Sequence, residues 1–339
     1  MHEYAPIVIP TLNRIDHFKN CIESLQKNGL ACKTELFISV DYPPNDKYVE
    51  GYERIKNFLL NGINGFKNVT IFYQNCNLGS SGNAKFLIDK ISEKFTRYIF
   101  TEDDNVFSNN YLEYMDKCFE KYEGDDSVFA ISGYMWPIEI GGVGNIVSSS
   151  SLFSAWGYGT WLTNIGAAEK WLSVEQFEKF LHDRKKMKEL CCNNPFIFSE
   201  FIKVFFEYSG CLINNNQLSK IDLSYSIYMF FKNKKTIYPV ISKVRNCGND
   251  GTGVHCVELL DYSNATTNNR NYDYHTQIVD SSDDFEISDE NLAAFDYVEG
   301  KLHDFLFTSD NELRKCWLLY YFYRIFGRKM TVSLVRKIK

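Results

Sequence analysis

The sequence lacks any apolar run long enough to span a bilayer, which takes about 20 residues. Its first residues, MHEYAPIVIPTLNR, lack both the basic segment and the long apolar segment of a secretion signal. We therefore expect a cytoplasmic protein without a membrane-spanning helix.

An excess of positive charge and a cysteine framework are also absent. The 339 residues carry a net charge of −6, so we expect no nucleic-acid partner, because binding along a phosphate backbone needs basic surface. The ten cysteines are scattered and form no Cys-x-x-Cys pair. This pattern is typical of reduced, mostly buried thiols rather than of a disulfide-stabilised protein.

Short apolar runs alternate with helical periodicity over the first 135 residues. The predicted strands span residues 7–9, 36–40, 69–73, 98–100 and 128–131. Alternating strands and helices predict an α/β fold, with a mixed, mostly parallel, Rossmann-like sheet flanked by helices. In such sheets, ligands bind at the carboxyl ends of the strands.

The run YIFTEDDN holds the strongest chemical signal. A predicted buried strand ends directly in Glu102, Asp103 and Asp104, so three acids cluster at the ligand edge of the sheet. Like charges this close need a compensating cation or hydrogen-bond donors. Carboxylate oxygens suit Mn²⁺ or Mg²⁺, which complete their shells with substrate phosphates. The alternative is a solvated acidic turn.

Three other predicted strands also end in residues that can bind a ligand. Thr11 and Arg14 follow the first strand, and Asp41 ends the second. The third is followed by NCNLGSSGNAK, in which Gly79 lets the backbone approach a nucleotide and Lys85 can meet a phosphate. Each feature alone is typical of a loop, but four such strand ends in one sheet favour a nucleotide site.

The segments IVIPTLNR, ISVD, NLGSSGNA and FTEDDN resemble, in order, the nucleotide-binding motifs of GT-A glycosyltransferases, including the bacterial family-two enzymes. The Glu-Asp-Asp triplet is similar to that of the N-acetylglucosaminyltransferase I family. The resemblance implies that Asp104 ligates a metal ion and that Glu102 and Asp103 lie beside the ribose and the sugar. It also implies that a further set of residues holds the nucleotide base or lies near it: Thr11, Arg14, Asp41, Asn77, Gly79 and Asn83.

Later stretches provide candidates for the acceptor side. In FSAWGYGTWLTN, Gly157 gives backbone access, and the rings of Trp156 and Tyr158 can stack on a sugar; the alternative is packing beneath the sheet. Asp222 precedes an apolar helix, where similar inverting enzymes carry the general base, although an ordinary N-cap fits equally well. His255 ends a Gly-rich stretch and is a candidate to meet the phosphates or the metal.

We predict one GT-A domain over residues 1–260, with a nucleotide-sugar half to about residue 135 and an acceptor half from 136. Residues 261–339 form a C-terminal helical extension. Its tail, WLLYYFYRIFGRKMTVSLVRKIK, is aromatic and basic, so it can lie on an anionic membrane surface or pack on the body of the protein.

The expected function is metal-dependent transfer of a sugar from a nucleoside-diphosphate sugar, in particular a UDP-sugar, to a glycan or lipid-linked acceptor hydroxyl, with inversion. Synthesis of surface polysaccharide or glycolipid is the expected setting. A sugar-nucleotide pyrophosphorylase is one alternative, but it needs a basic Gly-rich loop after the first strand, which PTLNR lacks. An inactive carbohydrate-binding module is the other, and the intact acidic triplet argues against it.

Overall fold

The computed structural model describes residues 3–138, 147–207, 213–214, 217–218, 220–248, 250, 295–306 and 308–338. The predicted site residue His255 and the predicted domain boundary near residue 260 lie outside these ranges.

The first part of the chain alternates strands and helices as predicted. Its elements are β1 (Ile7–Thr11), α1 (Ile15–Gln26), β2 (Glu35–Val40), α2 (Val49–Leu60), β3 (Asn68–Tyr73), α3 (Gly79–Ile91), β4 (Arg97–Phe100), β5 (Asn105–Phe107), α4 (Tyr111–Lys121) and β6 (Val128–Ser132). All five predicted strands are confirmed to within two residues. Strand β5, immediately after the acids, was not predicted.

The later part is mostly helical. Its elements are β7 (Val147–Ser150), β8 (Tyr158–Trp161), α5 (Leu162–Trp171), α6 (Val174–His182), α7 (Arg184–Asn193), α8 (Pro195–Glu207), β9 (Ile213–Asn214), β10 (Gln217–Leu218), α9 (Ile221–Lys232), β11 (Lys235–Pro239), β12 (Val244–Asn246), α10 (Phe295–Phe305) and α11 (Asp310–Ile338). Helix α11 is interrupted at Gly327, whose φ of 75° is not helical.

The central sheet has eight strands in the order β3-β2-β1-β4-β8-β6-β11-β7. Strands β3, β2, β1 and β4 are parallel to one another, and β11 is parallel to β6. Strands β7 and β8 are antiparallel to the strands beside them. The sheet is therefore mixed but mostly parallel, which confirms the predicted α/β fold class.

Strand β8 lies at the centre of the sheet, although the sequence predicted no strand over its residues. Gly159 and Thr160 interrupt its apolar character, so periodicity did not reveal it. Gly159 is required by packing, because a Cβ there would come within 2.6 Å of Cζ of Phe119 on α4. The aromatic stretch is thus partly structural.

Helices cover both faces of the sheet. Alternate residues of β1 face opposite sides: Ile7 and Ile9 pack with α1, α2 and α4, whereas Val8 packs with α3 and the later helices. Helix α11 belongs to the second layer, where Trp317 lies against Phe198 of α8 with ring centroids 4.7 Å apart. These layers fix the carboxyl ends of β1, β2, β4 and β6 at one edge.

Candidate active site

The acidic triplet is held by Arg14, which follows β1. The Nη2 atom of Arg14 donates to Oδ1 of Asp103 at 2.6 Å and to Oδ2 of Asp104 at 2.7 Å. The hydroxyl of Thr11 donates to Oδ2 of Asp103 at 2.7 Å. Because β1 and β4 are parallel neighbours, residues about 90 positions apart meet at the same edge.

Charge repulsion at this edge is strong. Asp103 and Asp104 are only 6% and 7% exposed, and Glu102 beside them is half-buried. Burial raises the pKa of Asp103, although Arg14 and Thr11 oppose the shift. Burial and the charges of Asp104, Asp222 and Asp103 raise the pKa of Glu102 well above its ordinary value. The site therefore favours any added positive charge.

Arg14 compensates part of this repulsion and keeps its own charge. Burial lowers the pKa of Arg14, but attraction to Asp103 and Asp104 outweighs it and raises the pKa above its ordinary value. The other terminal nitrogen, Nη1, is buried without a hydrogen-bond partner in the part of the chain that the structure describes. The contacts of Thr11 and Arg14 do not support their predicted role in binding the base, because both side chains are directed to the acids.

The predicted base-binding residues at β2 and α3 form a second group. The carboxylate of Asp41 accepts from the backbone N–H of Leu78 at 2.8 Å and from that of Tyr42 at 2.9 Å. The amide of Asn77 donates to Oδ2 of Asp41 at 3.2 Å. Gly79 begins α3 with a φ of 70°, which lets the loop turn tightly behind Asp41. Asp41 thus closes the loop at the end of β2.

Asn83 and Lys85 are engaged elsewhere. Asn83 is buried, donates to the carbonyl of Ser39 at 3.0 Å and accepts from the hydroxyl of Ser39. Lys85 forms an ion pair with Asp89 at 3.1 Å, and Glu169 lies 3.8 Å away. Asn83 therefore links α3 to β2, and Lys85 lies on the outer face of α3 rather than among the acids.

Asp222 lies in the first turn of α9 and joins the acidic triplet from a distant part of the chain. Its Oδ1 accepts from the backbone N–H of Ala155 at 2.6 Å. The N-cap of α9 is Lys220, so Asp222 is not the N-cap of this helix. Asp222 is accessible to solvent, but the protein atoms near its carboxylate reduce the hydration of the charged form. This desolvation raises the pKa of Asp222 to about 6, although the Ala155 hydrogen bond opposes the shift. The charge of Asp222 in turn affects Glu102.

The aromatic stretch contributes side chains of two kinds. Trp156 is half-buried and packs edge-on against Tyr134 with ring centroids 4.7 Å apart. Gly157 has a φ of 64° and no room for a side chain beside Val244. Tyr158, by contrast, is buried against Phe153 and cannot stack on a sugar in this arrangement. Trp156 is thus the ring of this stretch that remains accessible.

Sequence reasoning missed Asn246, on β12, as a site residue. Its Nδ2 donates to Oδ1 of Asp104 at 3.0 Å and to Oδ1 of Asn105 at 3.1 Å. The stretch 245–256 was singled out for its glycines and for His255, but a lone asparagine gives no signal of its partner. The pairing of β12 with β5, which sets Asn246 opposite Asn105, creates the contact.

The donor set suits a divalent cation that shares its ligands with a substrate. Within the described ranges, no three or more His, Cys, Asp and Glu side chains are arranged to hold a metal ion. A Mg²⁺ site that also uses substrate phosphates needs only one or two carboxylates from the protein. A positively charged atom, Nη2 of Arg14, already bridges Asp103 and Asp104. Asp104 therefore fits as a ligand beside a diphosphate.

Residues 7–146 match the model of glycosyl transferase family 2. The chain therefore contains a GT-A glycosyltransferase domain. The match spans β1 to β6 and includes Thr11, Asp41 and the acidic triplet. It ends before Asp222 and Asn246, so the roles of these two residues rest on the structure.

Other comparisons add little to the family match. A search of curated proteins finds no match for this glycosyltransferase. A crystal structure of S. aureus TarS shares 14% sequence identity over 42% of this chain and 23% of that chain, with a TM-score of 0.30. A crystal structure of S. aureus TarS 1-349 shares 13% identity over 46% of this chain and 47% of that chain, with a TM-score of 0.34. The chain thus spans less than half of each TarS chain.

A third solved structure is mannosyltransferase PcManGT from Pyrobaculum calidifontis in complex with GDP-Man and Mn²⁺. It shares 9% identity over 68% of this chain and 70% of that chain, with a TM-score of 0.36.

The raised pKa of Asp222 predicts a pH-dependent gain in stability from Asp222→Asn. The folded protein favours the neutral carboxyl group, so its ionisation lowers stability as pH rises from the ordinary value of 3.8 towards about 6. The variant should melt at a higher temperature than the wild type near neutral pH, and the difference should vanish in acid.

Asp16→Asn is the control, because Asp16 is an exposed acid on α1. Thermal unfolding of the three proteins across this pH range measures the effect. An Asp222→Asn variant that is less stable than the wild type above the raised pKa would contradict this account of the carboxylate.

Proposed function

We propose that this glycosyltransferase moves a sugar from a nucleoside-diphosphate sugar, in particular a UDP-sugar, to an acceptor hydroxyl with inversion of configuration. The observation that carries the proposal is the position of Asp222 at the carboxyl edge of the sheet. Tyr158 pairs with Phe100 at the carboxyl end of β4, just before the acidic triplet, and Asp222 accepts from the backbone N–H of Ala155 at the start of the same stretch. The acidic triplet serves the leaving diphosphate, and Asp222 activates the acceptor hydroxyl. We further propose that the acceptor is a glycan or a lipid-linked glycan used in surface polysaccharide or glycolipid synthesis.

On the donor side, the base lies near Asp41 and Asn77, and Glu102 and Asp103 face the ribose and the sugar. Asp104 would hold Mn²⁺ or Mg²⁺, and the ion would supply positive charge to neutralise the diphosphate. Arg14 assists at the diphosphate rather than at the base, since a phosphate oxygen would satisfy its buried Nη1, which has no hydrogen-bond partner among the described residues. His255 stays a candidate for phosphate or metal contact.

On the acceptor side, Asp222 is the general base. With a pKa of about 6, most of its population is ionised at neutral pH, yet it binds a proton better than an ordinary aspartate. The hydrogen bond from Ala155 orients the carboxylate. Trp156, next along the chain from Ala155, offers a half-buried ring for the sugar or acceptor.

The two alternatives fit less well. In a pyrophosphorylase, a basic Gly-rich loop after the first strand would bind phosphates, whereas here Arg14 after β1 binds the acids. An inactive carbohydrate-binding module would not need a carboxylate whose pKa is raised to about 6, as that of Asp222 is. Hydrolysis of the donor in the presence of metal separates an enzyme from such a module. The resemblance to N-acetylglucosaminyltransferase I stays a prediction from the Glu-Asp-Asp triplet.

Binding of UDP should depend on divalent metal. The crowded carboxylates repel a diphosphate unless a cation lies between them, so UDP should raise the melting temperature clearly with Mn²⁺ and weakly in EDTA. Asp104→Ala should remove the metal-dependent part of the shift and abolish transfer while the protein stays folded. Equal stabilisation by UDP in EDTA, or metal-dependent stabilisation of Asp104→Ala, would count against the site.

We also propose that the enzyme is cytoplasmic and contacts the membrane surface through α11. One side of this helix packs on the body through buried Tyr320 and Tyr323, which agrees with the predicted packing of the tail. Before the break at Gly327, the other side exposes large apolar residues: Leu318 at 69%, Tyr321 at 39%, Ile325 at 73% and Phe326 at 49%. Met330, beyond the break, is 54% exposed. None of the described helices is long and apolar enough to cross a membrane.

The surroundings of this apolar face favour anionic lipid as its partner. Lys315 and Lys329 are exposed on the same helix, and the hydroxyl of Tyr321 accepts a hydrogen bond at 3.2 Å from Arg184 on the neighbouring basic helix α7. Each basic residue near an anionic surface contributes about 1 kcal/mol, and the apolar side chains add burial in the interface. A lipid-linked acceptor would then be presented at the site.

The double variant Leu318→Ser and Ile325→Ser should bind anionic vesicles about tenfold or more weakly, because each substitution removes an apolar side chain from the interface. Leu60→Ser is the matched control, because Leu60 is 79% exposed on α2, away from this face. Vesicle co-sedimentation measures binding, and thermal unfolding checks the fold. Unchanged vesicle binding by the double variant would leave α11 as a packed helix without a membrane role.

A further inference from the structure

We propose that Asn246 is a positioning residue that fixes the carboxylate of Asp104 for the metal ion. The proposal rests on the proposed function, in which Asp104 ligates that ion. Asn246 lies outside the segment that matches the family model, and more than 140 residues separate it from Asp104 along the chain.

The side chain of Asn246 is buried, and each of its polar atoms has a defined partner. Nδ2 donates to Oδ1 of Asp104 at 3.0 Å and to Oδ1 of Asn105 at 3.1 Å, and Oδ1 accepts from the backbone N–H of Gly248 at 3.0 Å. An amide with three hydrogen bonds has one favourable orientation. Its N–H is therefore held towards Asp104 before any ligand arrives.

The backbone around Asn246 holds the same acid. The backbone N–H of Cys247 donates to the carbonyl of Asp104 at 2.8 Å. A Cβ on Gly248 would lie 2.1 Å from Oδ2 of Asp104, so only glycine lets the chain approach this closely. Strands β12 and β5 are antiparallel, and the register pairs Asn246 with Asn105. The segment 246–248 therefore fixes both the main chain and the side chain of Asp104.

Asn246 and Arg14 hold the two oxygens of Asp104 in chemically different ways. Arg14 Nη2 contacts Oδ2 at 2.7 Å and carries a positive charge, so a metal ion at Asp104 competes with it. Asn246 contacts Oδ1 and is neutral, so it does not repel a metal ion. When a cation displaces Arg14 from Asp104, Asn246 keeps the carboxylate in place. Loss of such an outer partner typically weakens metal affinity 10- to 100-fold.

The test is a titration with Mn²⁺ at saturating UDP of three proteins: the wild type, Asn246→Ala and Asn28→Ala. The melting temperature is measured at each Mn²⁺ concentration. Asn28 is a matched control, because it is also buried, donates to the carbonyls of Ser24 and Ser108 and accepts from the N–H of Leu112. Both variants lose a buried asparagine with three hydrogen bonds, so both should lose stability without ligand.

Asn246→Ala should need about 10- to 100-fold more Mn²⁺ than the wild type for half of the UDP-dependent shift, whereas Asn28→Ala should need the same amount as the wild type. A half-maximal concentration for Asn246→Ala that matches both other proteins would overturn the proposal. An increase shared by Asn28→Ala would also overturn it, since general destabilisation would then be the cause. If the UDP-dependent shift in the melting temperature of the wild type did not depend on Mn²⁺, the proposed function itself would be contradicted.

Discussion

The need to compensate three adjacent acids is the physical constraint on which the site depends. Glu102, Asp103 and Asp104 follow a buried strand, and two of them are almost fully buried. Arg14, Thr11 and Asn246 each donate to this group from other parts of the chain. Burying these charges does not by itself stabilise the protein, because buried ion pairs give little net gain in stability. The arrangement makes sense for a site that receives a cationic and anionic ligand together.

The proposed acceptor side of the site is built from later elements of the chain. Helix α9 brings Asp222 near Glu102, and strand β12 brings Asn246 to Asp104. Strand β8 lies at the centre of the sheet, and the chain just before it supplies the Ala155 N–H that orients Asp222. In the proposed reaction, donor and acceptor therefore meet where elements from the two halves of the chain converge.

The sequence predicted the early strands and their polar ends, because apolar periodicity and the residues that follow each strand are local signals. It could not predict that Arg14 binds Asp103 and Asp104, since this depends on β1 and β4 being neighbours. Tyr158 lies in the core, where it cannot stack on a sugar. The sequence did not show this, because Gly159 and Thr160 interrupt the apolar pattern of the strand to which Tyr158 belongs. Asn246 was missed because only its pairing with β5 makes it a site residue.

The most direct test of the central claim measures transfer by Asp222→Asn beside its affinity for UDP with Mn²⁺. Asparagine keeps the size of the side chain and an oxygen that can accept from Ala155 N–H, but it cannot take a proton. Transfer should fall by roughly 10²- to 10⁴-fold, while UDP affinity stays unchanged, because the nucleotide contacts lie on the earlier strand ends. Transfer at the wild-type rate would contradict the account of a site shared by Asp222 and the acidic triplet.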